Sequence, residues 1–311
     1  MPSTDALECR PGPALAPVLE SYPAREADLG GGLVVRRLLP RSGRRLVGPW
    51  CFFDHFGPLV FGVGKPMDVA PHPHIGLQTV TWLLEGEALH RDSLGTEQLI
   101  RPGQLNLMTA GLGIAHSEET PSRHSGRLHG LQLWVALPDA RRRIAPSFAH
   151  VPELPVVAVG ACRAVVLVGE LNGVRSPATT YSRMVGAEVA ADHDDDIALP
   201  IDPHFEHAVL LVEGHVALGD RMLEPATLHY LGSGREQLAL AVRAGARLVL
   251  LGGEPFGERI VMWWNFVART PEEIVEARDD WEQGRRFGAV QAYVGERIPA
   301  PPLTARLQRP G

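Results

Sequence analysis

The chain has 311 residues, a net charge of −6, 45% hydrophobic and 21% charged residues, the profile of a globular protein able to bury a large core in one or two domains. This mildly acidic balance gives no electrostatic case for direct nucleic-acid binding, which favours a basic face or a pI above about 9. Cys9, Cys51 and Cys162 are far apart with no C-x-x-C spacing, so reduced thiols in a cytoplasm are expected rather than a disulfide framework or structural zinc. No run of about 18 apolar residues is present, and the first residues lack the pattern of a signal peptide, so no membrane partner is expected.

Residues 1–30 hold Pro2, Pro11, Pro13, Pro17 and Pro23 and then Gly30, Gly31 and Gly32, without sustained periodicity, and read as an N-terminal arm. From Leu33 short apolar runs alternate with turn residues, at 33–39, 50–56, 79–84, 105–108 and 130–137. Strands of that length and spacing predict an antiparallel sandwich or barrel over 31–145. Arg141, Arg142 and Arg143 read as a solvated loop, and Pro146, Pro152 and Pro155 mark a connection.

A second strand-rich region, 146–311, has runs at 164–168, 180–185, 208–212, 215–218, 238–242 and 247–251. Val80 to Glu87 and Ala208 to His215 share a strand, a Glu-Gly turn and a return strand, which suggests a duplicated scaffold. In that register His72 and His74 correspond to Pro200 and Asp202, and no counterpart of His116 to Glu118 follows Leu231. Residues 261–267 are apolar on both faces and predict a buried segment between the second sheet and a helix. That helix is announced by Thr270 as N-cap, Pro271 at the first position and Glu273 completing a capping box. Ile274, Ala277 and Trp281 lie on one face, with Val275 beside them, and Gly284 is the stop. The tail after Pro299 reads as an extended strap.

The chemistry is concentrated between Pro71 and Glu119. Strand side chains alternate faces, so His72 and His74 point the same way, as do His116 and Glu118. Pairing the two strands brings three imidazoles and one carboxylate to one point, a donor set for a first-row metal with positions left open. Nothing in this donor set chooses among Fe(II), Mn, Co, Ni, Cu and Zn, because no thiolate is present.

The order His-Pro-His, strand, Glu-Gly turn, Pro-Gly, Met108-Thr109-Ala110-Gly111, His116-Ser117-Glu118 and Gly130-Leu131-Gln132-Leu133-Trp134 resembles the pirins of the cupin superfamily. The resemblance runs from about Leu33 to about Phe287. It implies an all-β bicupin, two antiparallel cupin β-barrels with a C-terminal helix, holding a mononuclear iron in the N-terminal barrel alone. The family's ligands fall on His72, His74, His116 and Glu118. Gln78 stands where many cupins carry Glu, a departure that bears on the surroundings of the site rather than on its ligands.

Some pirins are quercetin 2,3-dioxygenases, so the resemblance further implies dioxygen and a flavonol-like chelating substrate, with Glu118 loosening to accept the substrate proton. Other pirins bind protein partners and use the iron as a redox switch without turnover, which is the alternative expectation. Gln132, alternating with apolar neighbours, and His55, just before the ligand strand, are candidate pocket residues. His90, His124, His129 and His150 lack ligand spacing and are expected at packing or surface positions. The acidic run from Asp192 to Asp196 lacks the spaced ligands of a Ca²⁺ loop and reads as solvated.

Overall fold

The computed structural model describes residues 7–9, 16–29, 33–64, 67–303 and 307. Pro2, Pro11, Pro13 and the glycines 30–32 of the expected arm lie outside them, as do 304–306 and 308–311 of the tail.

The alternating pattern folds into two pairs of antiparallel sheets, each pair a β-sandwich rather than a closed ring of strands. In the first half a seven-stranded sheet runs in the order Ser147–Val151, Leu105–Thr109, Leu77–Gly86, Arg127–Ala136, Trp50–Val60, Val34–Leu39 and Arg25–Asp28. Its companion has four strands, Asp68–His74, Ile114–Glu119, Ala88–Asp92 and Glu97–Ile100. The second half repeats this plan. A larger sheet centred on Met184–Ala191, Arg247–Gly253 and Glu206–Glu213 accompanies a four-stranded one of Asp195–Pro200, Gln237–Val242, Val216–Leu218 and Arg221–Met222. The run expected at 180–185 becomes strand only at Met184.

The large sheets meet back to back. On Leu77–Gly86 the even positions Val80, Trp82 and Leu84 pack with Leu131 and Leu133 against Leu210, Tyr230, Val249 and Leu251 of the second half. Odd positions face the first interior, so this strand is apolar on both faces because both are covered. Hydrogen bonds fix the contact. The Trp50 indole donates to the carbonyls of Val185 at 3.2 Å and Gly252 at 3.1 Å, and the Trp82 indole donates to the Glu188 carboxylate. Gln78 lies on this same face, donating to Thr109 Oγ1 at 2.9 Å and the Thr179 carbonyl at 3.0 Å. The arm contributes to both halves, since Glu20–Pro23 pairs with Thr227–Gly232 and Arg25–Asp28 pairs with Val34–Leu39.

The second interior is filled by Ile197, Leu199, Ile201, Val209, Leu211, Leu238 and Leu240. Leu199 and Ile201 are the buried neighbours of Pro200, and Pro200 and Asp202 are not. The inner face of this strand and the turn after it therefore falls on Leu199 and Ile201 rather than on Pro200 and Asp202, and the side chains entering this interior are aliphatic.

The apolar segment at 261–267 is a hairpin, Ile260–Trp263 with Phe266–Ala268, turning through Trp264 at φ 51°. It packs on the first half rather than on the second sheet. Phe266 bridges Ile75, and the Val267 N–H donates to the Ile75 carbonyl at 3.1 Å. Gly76 makes the approach possible, since its φ is +69° and a Cβ there would lie 2.0 Å from the Val267 carbonyl oxygen. The helix forms as expected, Pro271–Glu282, with Thr270 as N-cap and Ile274, Val275, Ala277 and Trp281 buried. Glu273 closes the cap one residue early, accepting from the Arg269 N–H at 2.8 Å. The tail straps back over the helix, the Ala300 N–H donating to Glu282 Oε1 at 2.7 Å and the Pro301 carbonyl accepting from Arg278 Nε at 3.1 Å.

Candidate metal centre

Strands Asp68–His74 and Ile114–Glu119 pair antiparallel with His72 directly opposite His116. A register shift between His116 and Glu118 re-aims the end of the second strand. His72, His74 and His116 are buried, and their ligand nitrogens lie within 4.8 Å of one another. The rings pack closely, His72 and His116 at 4.4 Å between centroids and His74 and His116 at 4.9 Å.

The hydrogen bonds decide which nitrogens remain free. His72 Nδ1 donates to the Ala70 carbonyl at 2.9 Å and His74 Nδ1 to the Asn265 carbonyl at 3.0 Å, leaving both Nε2 atoms as lone pairs. His116 Nδ1 meets His90 Nδ1 at 3.3 Å, and His90 Nε2 meets Asp92 Oδ2 at 3.2 Å. Burial alone would raise the Asp92 carboxyl, but hydrogen bonds from His90 and Thr96 hold it below its ordinary value. An ionised Asp92 requires His90 Nε2 to donate, so His90 Nδ1 accepts and His116 Nδ1 donates. His116 Nε2 is then also a lone pair.

His74 Nε2 and His116 Nε2 face each other at 3.0 Å. Two lone pairs repel at that distance unless a Lewis acid lies between them. Cis ligands at about 2.1 Å from one ion are spaced about 3.0 Å apart, so the residues fit a metal. Burial, opposed by the Ala70 carbonyl, lowers the His72 pKa to about 4. Burial and the neighbouring imidazoles hold His74 and His116 well below the ordinary histidine value. All three are neutral at pH 7, the form that ligates metals.

Glu118 lines the same cavity as His72 and His74, but its carboxylate stands outside the group of converging nitrogens. Thr81 Oγ1 donates to Gln132 Oε1 at 2.9 Å, which turns the Gln132 amide N–H toward Glu118. Burial raises the Glu118 pKa to about 7 despite that bond. The cavity measures about 60 Å³ and is walled by Phe52, Phe56, Met67 and Trp134 among others. Phe52 and Trp134 stack at 4.1 Å, and Trp134 meets the His74 ring edge-on at 5.1 Å. Asp54 enters the wall as a buried carboxylate clamped by Arg37, at 2.8 and 2.7 Å.

Of the two residues expected in the pocket, Gln132 lines it and His55 does not. Phe52, Asp54 and Phe56 take the inner face of Trp50–Val60, so His55 leaves from the other side and packs on His129, with the two Nε2 atoms 2.7 Å apart. His90 also departs from expectation, because it is buried against a candidate ligand rather than merely packed. Its signal was present as His90-x-Asp92 on the strand flanking Ile114–Glu119, an alternating pair aimed inward. Asn265 acts through its carbonyl and carries no such signal. The acidic run is tied to the surface, with Asp192 paired to Arg163 and Asp195 accepting from the Ala161 N–H.

A family profile described as Pirin matches residues 32–135, and one described as Pirin C-terminal cupin domain matches residues 186–288. A Pseudomonas aeruginosa protein named "Putative quercetin 2,3-dioxygenase PA1205" is 49% identical over 92% of this chain and 91% of its own. A "Pirin-like protein" of Caulobacter vibrioides is 40% identical over 90% of this chain and 98% of its own. The crystal structure of a quercetin 2,3-dioxygenase from Acinetobacter baumannii superposes with a TM-score of 0.90 at 43% identity, covering 93% of this chain and 97% of that one.

Proposed function

The chain belongs to the pirin family, and from that premise we propose that it is a metal-dependent dioxygenase of the quercetin 2,3-dioxygenase type. His72, His74, His116 and Glu118 would hold the metal, Fe(II) by family, with Mn, Co, Ni, Cu and Zn compatible with the donors. The observation that carries this reading is the convergence of three imidazole lone pairs beside a cavity that also holds Glu118. When bound, the metal supplies Lewis acidity and one-electron exchange with dioxygen.

The chain's own residues supply the rest. Glu118, with a pKa of about 7, is poised to accept a phenolic proton from an incoming flavonol 3-hydroxyl. Its hydrogen bond with Gln132 keeps the carboxylate aimed at the cavity rather than fully committed to the histidines. Phe52, Phe56, Trp134 and Met67 give the substrate an apolar wall and keep water from the reacting edge. The test is oxygen uptake with carbon monoxide release from quercetin by the metal-loaded protein; absence of turnover with every compatible metal overturns the reading.

The second reading is a regulator that presents the metal's oxidation state to a protein partner. The size of the cavity favours it. About 60 Å³ admits dioxygen and a chelating edge, whereas pockets that enclose whole ligands measure about 300–1,000 Å³. Partner binding that changes with metal oxidation state, in a protein without quercetin turnover, would select it.

A further inference from the structure

A line of polar side chains crosses the interior of the first sandwich. Strand pairing sets Arg37 opposite Asp54, Asp54 opposite Gln132, Gln132 opposite Thr81, Thr81 opposite Asn106, and Asn106 opposite His150. Partners across a sheet share a face, so the line runs over the inner surface from Val34–Leu39 to the edge strand Ser147–Val151. Two positions away the rows turn largely apolar, with Phe52, Trp134, Met108 and Phe148 on one side and Val35, Phe56 and Leu83 on the other. Asp54, Thr81 and Asn106 are 1%, 7% and 3% exposed. A buried polar strip of this kind costs stability that aliphatic side chains would not.

The hydrogen bonds along the strip share one direction. An ionised Glu118 carboxylate only accepts, so Gln132 turns its amide N–H toward it and Oε1 away. Thr81 Oγ1 commits its proton to that Oε1 at 2.9 Å and keeps only lone pairs for its other neighbour. That neighbour is Asn106, whose Oδ1 meets His150 Nδ1 at 2.8 Å and whose buried Nδ2 has no partner. With Oδ1 facing the imidazole, the imidazole donates, and the amide N–H is the end left on the Thr81 side. His150 is half-buried on the edge strand, so the strip begins near the surface and ends beside the histidine cluster.

We propose that Thr81, Asn106 and His150 are positioning residues that act through Gln132, holding its amide so that an N–H and never Oε1 faces Glu118. A reversed Gln132 would set Oε1 against the carboxylate and its N–H against the Thr81 proton. Relief would require Thr81 to swing that proton toward Asn106 and Asn106 to turn as well, and His150 holds Asn106 by its Oδ1. The strip thus ties the orientation of one amide in the cavity to a side chain at the edge of the sheet. Its consequence for turnover rests on the dioxygenase reading, in which Glu118 accepts the substrate proton. The orientation itself does not.

The experiment compares the full chain with Thr81→Val, Thr81→Ser and His150→Phe. In chelator-treated protein the side-chain amide resonance of Gln132, assigned by its loss in Gln132→Glu, should move in Thr81→Val and stay in place in Thr81→Ser, which keeps the hydroxyl. His150→Phe, at the half-exposed edge where folding is not at stake, should move it less. In metal-loaded protein with stoichiometric metal, Thr81→Val should lower kcat for quercetin about tenfold with KM within about twofold, Thr81→Ser should restore it, and His150→Phe should lower it about threefold. The proposal is overturned by a resonance that moves in neither Thr81→Val nor His150→Phe, by one displaced as far in Thr81→Ser as in Thr81→Val, or by a turnover loss confined to KM. Absence of quercetin turnover in the unsubstituted protein overturns the dioxygenase reading instead, and the resonance still decides the orientation.

Discussion

The two sandwiches use one topology for opposite interiors. In the first, the paired strands Asp68–His74 and Ile114–Glu119 turn His72, His74 and His116 inward. In the second, the strands in the same places, Asp195–Pro200 and Gln237–Val242, turn Ile197, Leu199, Leu238 and Leu240 inward. The aliphatic interior is the default that burial of apolar surface favours. Three buried neutral imidazoles with opposed lone pairs are not stabilising by themselves, so their presence in one half marks where the fold carries chemistry.

The sharpest way to break the comparison is to remove a ligand. His116→Ala should abolish stoichiometric metal as read by elemental analysis, whereas Leu240→Ala should leave the metal content untouched. The same Leu240→Ala change should cost about 2–5 kcal/mol in denaturant unfolding, because it opens a cavity in a closed aliphatic core. Metal retained by the alanine variant at position 116 would falsify the assignment of the cluster.

A smaller effect is expected behind the ligands. Asp92→Asn leaves the three imidazoles in place but removes the anion that orients His90 and, through it, His116. Metal affinity should fall about 10–100-fold in competition with a chelator. An equal affinity would mean that the tautomer of His116 is fixed by some other group.

The smallest effect is one the two halves share. Burial lowers the pKa of His55 to about 3, of His129 to about 4, and of His207 in the second half to about 4. Unfolded histidines take up protons near 6.5, while these do not until pH 4 or below. The unfolded chain therefore binds more protons as pH falls below 6.5, and stability is lost through that window and restored above it. The thermal midpoint of metal-free protein should drop between pH 7 and pH 5. His129→Phe and His207→Phe should each flatten the drop by on the order of 1 kcal/mol.

Alternation made the inward histidine pairs and the run of strands readable in the sequence, because period two fixes a side chain's face without knowledge of its partner strand. The capping residues Thr270 and Pro271 likewise announced the helix locally. What stayed hidden depended on pairing across the chain. His55 lies one position from Asp54 and so on the wrong face, and in the second half the inner face falls on Leu199 and Ile201 rather than on Pro200 and Asp202. His90 has meaning only beside His116, a neighbour supplied by strand pairing. The hairpin at 260–268 is apolar throughout, and its composition does not say which half it covers.

That hairpin also imposes an order in time. His74 Nδ1 is held by the carbonyl of Asn265, 191 positions further along the chain. A nascent chain emerging from the ribosome would complete every histidine of the first sandwich long before it could make the group that turns the His74 ring. The orientation of the His74 ring is therefore a property of the finished polypeptide, set by a segment of the C-terminal half that has no side chain in the histidine cluster.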